Sequence, residues 1–112
     1  DRSKDMLKVG GENVAASEIE RVIAGVEGVL EVAVVARKHR MLDEVPVAFV
    51  IARDPKDTTL PERALAACRQ ALASFKHPHE VRLNDALPRS TLEKVAKAEL
   101  RARLAAEQAE PA

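Results

Sequence analysis

Aromatic and cysteine residues are scarce in this chain, and its charges cancel. Of its 112 residues only Phe49 and Phe75 are aromatic, so the sequence offers no stacking platform for single-stranded nucleic acid. Its 18 basic residues balance its 18 acidic residues, which gives no electrostatic argument for binding nucleic acid or an anionic membrane. Because Cys68 is the only cysteine, no internal disulfide can form, as is usual in a reducing compartment.

Long apolar runs and secretion signals are also missing. No apolar stretch approaches the roughly 20 residues that a membrane span needs, and no signal peptide is visible. The histidines are only His39, His77 and His79, and two histidines flanking a proline are not a usual ligand pair for zinc. We therefore expect no metal site, no membrane span and no nucleic-acid partner, and a cytoplasmic location.

The composition is that of a soluble domain, with 46% hydrophobic and 32% charged residues in a length that suits a single core. The chain begins at Asp1 without a methionine, which suggests a fragment or a processed product of a longer protein. Cys68 lies between Leu65 and Leu72 on an apparent helix face, so we predict that its side chain is buried in the core.

Strands and helices are predicted to alternate along the chain. Gly10-Gly11 between two short extended segments predicts a hairpin, and periodicity predicts further elements. These are a helix at Ala16–Ala24, antiparallel strands at Val29–Ala36 and Glu44–Ile51, a helix at Leu60–Ala73, a strand at Glu80–Asn84 and a helix from Ser90. The order predicts an α+β fold: a small sheet of about three strands with helices packed on it, preceded by an N-terminal two-stranded hairpin.

Three local signals refine this prediction. Pro46 lacks a backbone donor, which favours an edge position or a bulge for the second long strand. Ser17 and Glu20 have the spacing of a capping box at the start of the first helix. Lys4 and Lys8 share one face of the first strand, where they are either lysines on a solvated edge or functional groups.

A lone lysine near the start of the last predicted helix is the most informative feature. Ser90 and Glu93 fit a capping box, which would begin the helix at Ser90 and place Lys94 in its first turn. The helix macrodipole disfavours a cation there by roughly 0.3–1 kcal/mol and favours an anion. Lys94 is therefore either a solvated surface lysine or a lysine retained for a bound anion.

Several segments, in their order along the chain, resemble the adenylate-forming enzymes. These segments are 2–14, 18–20, 32–35, 47–50, 75–78 and 85–94. The form Lys-x-Gly-Gly-Glu-Asn-Val at 8–14 is most similar to the acyl-CoA synthetase branch, the AMP-forming acyl-CoA ligases. The resemblance covers nearly the whole chain.

The resemblance implies the C-terminal lid domain of a larger enzyme. An N-terminal adenylation domain of the same chain would hold ATP, with Mg, and a small carboxylic acid. Acyl-adenylate forms first, and the thiol of coenzyme A then displaces AMP while the lid rotates between the steps. ATP and coenzyme A are substrates that this domain alone would not bind tightly, and the isolated domain is expected to be inactive.

The resemblance also implies roles by position. The matched residues are Lys94 for the adenylation step, Lys8 for the thioester step, Lys4 at the hinge, Arg2 near the nucleotide, and Gly10 and Gly11 along the pantetheine channel. On this basis, residues 1–112 form one domain with three parts: a hinge and hairpin at 1–14, an α/β body at 15–106 and a frayed tail at 107–112.

The sequence departs from the family pattern beside the matched lysine. Glu93 stands where glycine is usual, and it either caps a helix through Ser90 or pairs with Lys94 and weakens it. Asp43-Glu44 replaces a usual Gly-Glu, and Ala15-Ala16 replaces a usual Ser-Pro. Two other functions stay open: an adenylation domain that loads a carrier protein, and a degenerate binding module that retains only the fold.

Overall fold

The computed structural model describes residues 5–89 and 95–109 of the chain. Helices follow pairs of strands or single strands in these residues, with a short 3-10 helix at Ser74–Lys76 between the second helix and the last strand. In chain order the elements are β1 (Met6–Val9), β2 (Glu12–Ala15), α1 (Ala16–Ala24), β3 (Val29–His39), β4 (Asp43–Ala52), α2 (Leu60–Ala71), β5 (Glu80–Asn84) and α3 (Lys97–Ala109).

The five described strands form one sheet around β4. Its order is β2-β1-β4-β3, and β5 also pairs with β4. The β4–β5 pair is parallel, whereas the other pairs are antiparallel. In the described residues the ladder between the hairpin and β4 consists of one residue pair, Val9 with Asp43. The predicted α+β fold is confirmed, and the predicted hairpin is part of the same sheet.

Helices cover both faces of the sheet because side chains alternate along its central strands. Val34 and Ala48 point to the face that α1 and α2 cover, whereas Val35 and Phe49 point to the face that α3 covers. The first core includes Ile19, Ile23, Leu60 and Cys68, and the second includes Leu87, Leu100 and Leu104. This two-sided burial explains the continuous apolar run of β4.

Local patterns predicted several elements correctly. Helix α1 has the predicted bounds, Ala16–Ala24, and β5 has the predicted bounds, Glu80–Asn84. The Cys68 side chain is fully buried, as predicted, and burial raises the pKa of its thiol. Helix α3 continues to Ala109, into the segment that was expected to be a frayed tail.

The prediction that Pro46 marks an edge or a bulge was wrong. Pro46 pairs with Ala36 without a register shift, in a strand that has neighbours on both sides. Its carbonyl accepts a hydrogen bond from the His79 backbone N–H at 2.9 Å, so its missing donor faces the same side. On that side the pairing of β4 with β1 is at Asp43, and its pairing with β5 begins at Val47. Pro46 lies between them, so its missing N–H removes no hydrogen bond from the sheet.

The capping box predicted at Ser17 and Glu20 is not formed, and the last helix starts later than predicted. Ala15 precedes α1 as its N-cap, and no side chain caps the helix. The Glu20 carboxylate instead accepts the backbone N–H of Val34 at 2.8 Å. The last helix begins at Lys97 rather than at Ser90.

Candidate functional site

The turn of the β1–β2 hairpin requires glycine. Gly10 and Gly11 have φ values of 57° and 88°, a region that side chains other than glycine rarely adopt. Positive φ at both central residues is the geometry of a tight hairpin turn. The prediction that Gly10-Gly11 forms a hairpin turn is therefore confirmed.

The two glycines face different surroundings. Gly10 donates its backbone N–H to the Leu42 carbonyl at 2.8 Å, and a Cβ on Gly10 would lie 3.2 Å from Leu42 Cδ2. A Cβ on Gly11 would meet nothing within 4 Å. Gly10 thus fixes the hairpin against the β3–β4 turn, whereas Gly11 leaves open space beside the backbone.

Lys8 points away from the core at the middle of β1. Its neighbours Leu7 and Val9 are buried while Lys8 is exposed, as alternation in a strand requires. The Lys8 backbone N–H donates to Glu44 Oε1 at 2.9 Å. Within the described part of the chain no acidic group forms an ion pair with the Lys8 ammonium.

Three of the predicted site residues, Arg2, Lys4 and Lys94, lie outside the described residues, as do Ser90 and Glu93. The structure does show both ends of the segment that carries Lys94. The prediction that a helix macrodipole disfavours a cation at Lys94 does not hold, because α3 begins three positions after Lys94.

The described residues on the two sides of 90–94 lie next to each other, and we call them the loop base (residues 88, 89, 95, 96 and 97). Arg89 and Val95 form an isolated antiparallel bridge, and the Ala96 N–H donates to the Pro88 carbonyl at 2.7 Å. On one side Leu87 is buried in the α3 core, and on the other Val95 packs against it. The ends of the segment are therefore fixed side by side.

Ion pairs tie the loop base to the body. Arg89 bonds to Glu31 of β3. The Lys97 ammonium lies 2.7 Å from Glu20 Oε2 and 3.2 Å from Asp5 Oδ2. Sequence reasoning missed Lys97 because it placed the helix start too early, and it missed Asp5 because no local pattern marks a long-range ion pair.

A second feature missed from the sequence is a groove beside the β3–β4 turn. Basic side chains and Met41 line it, together with the end of α3; they are Arg37, Lys38, His39, Arg40, Met41, Glu107 and Gln108. His39 Nδ1 accepts the backbone N–H groups of Met41 and Leu42, each at 3.1 Å. Burial, followed by the charges of His39 and Arg37, lowers the pKa of nearby His79.

The described residues contain no group of three or more His, Cys, Asp or Glu placed to hold a metal ion. Among these same residues, no helix is long and apolar enough to cross a membrane.

Comparisons with known proteins agree with this geometry. Residues 18–94 match the family model described as the AMP-binding enzyme C-terminal domain. A 3-[(3aS,4S,7aS)-7a-methyl-1,5-dioxo-octahydro-1H-inden-4-yl]propanoyl:CoA ligase of Mycobacterium tuberculosis is 45% identical over 102 residues, covering 90% of this chain and 20% of that protein. The chain thus spans about a fifth of the length of the curated relatives it matches.

Solved structures show the same architecture. A fatty acyl CoA synthetase of Mycobacterium tuberculosis superposes with a TM-score of 0.84 at 38% identity, covering 96% of this chain and 21% of that one. ATP-bound MatB from Rhodopseudomonas palustris gives a TM-score of 0.83 at 37% identity, covering 90% of this chain and 20% of that one. With more than half of its length matched by the family model, this chain belongs to the AMP-binding enzyme C-terminal domain family.

Proposed function

We propose that this chain is the C-terminal domain of an AMP-forming acyl-CoA ligase, and that it serves both steps of the reaction. The observation that carries the proposal is the glycine hairpin. It combines an open backbone at Gly11 with an exposed Lys8, in a domain whose similar proteins include named CoA ligases. An N-terminal domain of the same protein would bind ATP and the carboxylic acid.

In the first step Lys94 stabilises the charge that develops as the carboxylate attacks the α-phosphate of ATP. A cation preorganised in a site that excludes water is worth more than one in solution. Removing one such donor typically costs about 2.7–4 kcal/mol of transition-state stabilisation. The loop base supports this role, because the residues on the two sides of 90–94 are joined to each other by the Arg89–Val95 bridge and the Ala96–Pro88 hydrogen bond.

In the second step the hairpin lines the path of the pantetheine arm of coenzyme A. The thin arm needs close approach to a backbone, and Gly11 offers that approach because no side chain stands there. Lys8 presents its ammonium on the exposed face of β1, in reach of a substrate in solution or at a domain interface. In this proposal Lys8 serves the thioester step and Lys94 serves the adenylation step.

In this proposal the rotation of the domain between the two steps takes place at the residues just before β1. Lys4 is the hinge, since domain rotation requires only a few backbone positions to change. Arg2 lies two positions earlier and contacts the nucleotide in this proposal. Any Mg that accompanies ATP is assigned to the N-terminal domain in this proposal.

The test uses the full-length enzyme and measures the two half-reactions separately. Lys94→Ala should lower pyrophosphate release from ATP and the acid by about 100-fold or more. It should leave thioester formation from supplied acyl-adenylate and coenzyme A nearly unchanged. Equal loss of both half-reactions would contradict the assignment of Lys94.

Coenzyme A is preferred over a carrier protein as the thiol partner because the similar curated proteins are named as CoA ligases. Free coenzyme A should discharge the adenylate without any added protein. If discharge required a phosphopantetheinylated carrier protein, the domain would instead serve a carrier-loading enzyme.

A further inference from the structure

Lys97 lies at the end of the loop base, close in sequence to Lys94. It is the first residue of α3 and follows Lys94 by three positions. Its side chain is only 18% exposed, and its ammonium contacts two carboxylates, those of Glu20 and Asp5. A lysine in the first turn of a helix is disfavoured by the macrodipole, so the two carboxylates offset an unfavourable position.

Glu20 is a rigid partner for Lys97. The same oxygen, Oε2, accepts the backbone N–H of Val34 in β3 at 2.8 Å and the Lys97 ammonium at 2.7 Å. Its neighbours in α1, Ile19 and Ile23, are fully buried, which fixes the backbone that carries it. The Lys97 ammonium is thereby held between α1, β3 and the residue that precedes β1.

The backbone alone holds the loop base weakly. One isolated bridge joins Arg89 to Val95, whereas a strand ladder would supply a series of such pairs. The side following Lys94 is then held by the Ala96–Pro88 bond, by the packing of Val95 against the α3 core and by the contacts of Lys97. Only two residues, Val95 and Ala96, separate Lys97 from Lys94 along the chain.

We propose that Lys97 is a positioning residue for the adenylation step: its ion pairs with Glu20 and Asp5 fix the end of the segment that presents Lys94. The inference rests on the proposed function of Lys94. It also connects the segment to the hinge, because Asp5 follows Lys4 directly.

The experiment compares three variants of the full-length enzyme. Lys97→Met keeps the length of the side chain and removes its charge, Lys97→Arg keeps the charge, and Arg103→Met is the matched control. Arg103 lies on the same helix in an exposed pair with Glu99. Each variant is assayed for pyrophosphate release, for thioester formation from supplied acyl-adenylate, and for its melting temperature.

Lys97→Met should lower kcat for adenylation by about 10- to 100-fold, the scale expected when a reacting group is misplaced. The KM for ATP and the thioester half-reaction should stay within about twofold. Lys97→Arg should recover most of the lost rate, and Arg103→Met should behave as wild type. Glu20→Gln keeps an acceptor for the Val34 N–H but removes the charge, so it should also lower the adenylation rate and spare the thioester half-reaction. It replaces Lys97→Met in the experiment if that variant does not fold.

Equal loss of both half-reactions in Lys97→Met and in Glu20→Gln would overturn the proposal, because it would indicate a structural role only. Unchanged adenylation would overturn it as well. Lys94→Ala keeps the two proposals apart: if that variant adenylates normally, the proposed function of Lys94 fails irrespective of Lys97.

Discussion

The hairpin and the loop base are held by different kinds of interaction. Four consecutive residue pairs and a glycine turn fix the β1–β2 hairpin, and Leu7, Val9 and Val14 anchor it in the core. The loop base has one bridge, and side-chain ion pairs supply further restraint. The hairpin should therefore tolerate changes of charge but not changes of backbone conformation. The loop base should be more sensitive to changes of charge than to changes of backbone conformation.

The largest effect on folding should come from the core beneath the loop base. Leu100 is fully buried between α3 and the sheet. Leu100→Ala should lower the free energy of unfolding by about 2–5 kcal/mol, because it leaves a cavity. The neighbouring exposed residue provides the control: Arg101→Ala should change stability by less than about 0.5 kcal/mol.

Denaturant unfolding of the full-length protein, followed by a probe in this domain, measures this difference. If the two variants unfolded at the same midpoint, α3 would not depend on the core that the structure shows.

The next effect concerns the backbone of the hairpin. Gly10→Val places a β-branched side chain at a φ of 57° and against Leu42, at a Cβ distance of 3.2 Å. We expect a loss of about 1–2 kcal/mol from the left-handed conformation alone, and a selective fall in thioester formation. Lys8→Met, which keeps the backbone unchanged, should leave the unfolding midpoint near that of wild type.

Comparing the unfolding midpoints of Gly10→Val and Lys8→Met shows whether the turn backbone or the Lys8 charge contributes more to the stability of the hairpin. Equal destabilisation by both would mean that the Lys8 side chain, and not only the turn, holds the hairpin.

A smaller effect on the free energy of unfolding should come from pH, through ion pairs at the C-terminal end of α3. Arg82 bonds to Glu80 and Glu107, and the hydrogen bonds from Arg82 are the leading cause of the lowered pKa of each carboxyl. A carboxyl with a lowered folded-state pKa stabilises the fold above its unfolded pKa, and this stabilisation is lost as pH falls through the folded value. Stability should therefore decline on acidification below the ordinary carboxyl pKa of 4.5.

Arg82→Met separates this contribution from other acid effects. The difference in unfolding midpoint between wild type and Arg82→Met should be largest near neutral pH and should shrink below pH ~4. A difference that stayed constant with pH would assign the effect to packing of Arg82 on Phe49, whose ring centre lies 5.7 Å away.

The smallest effect concerns Cys68. Because the side chain is fully buried and burial raises the pKa of its thiol, a thiol reagent should modify it only after local or global unfolding. Mass spectrometry should show slow alkylation under native conditions and rapid alkylation in denaturant. Rapid native alkylation would mean that the α1–α2 face opens readily.

Elements fixed by local patterns were predictable from the sequence. The apolar spacing of α1 and Gly25 after it gave the helix its bounds, and Gly10-Gly11 gave the turn. The errors arose where a distant partner decided the outcome. Glu20 has the spacing of a capping residue but bonds to Val34 and Lys97.

Backbone pairing explains the remaining errors. The last helix starts late because Val95 pairs with Arg89, which the capping signature of Ser90 and Glu93 does not reveal. Pro46 fits in a central strand because it lies between the part of β4 that pairs with β1 and the part that pairs with β5. The roles of Arg2, Lys4 and Lys94 stay predictions, since these residues lie outside the described ranges.

The division of labour between Lys94 and Lys8 is the central claim, and the ratio of the two half-reaction rates in one enzyme preparation tests it most directly. Relative to wild type, Lys94→Ala should lower the ratio of adenylation rate to thioester rate, and Lys8→Ala should raise it. Ratios that moved in the same direction, or that did not move in either variant, would contradict the assignment of one step to each lysine.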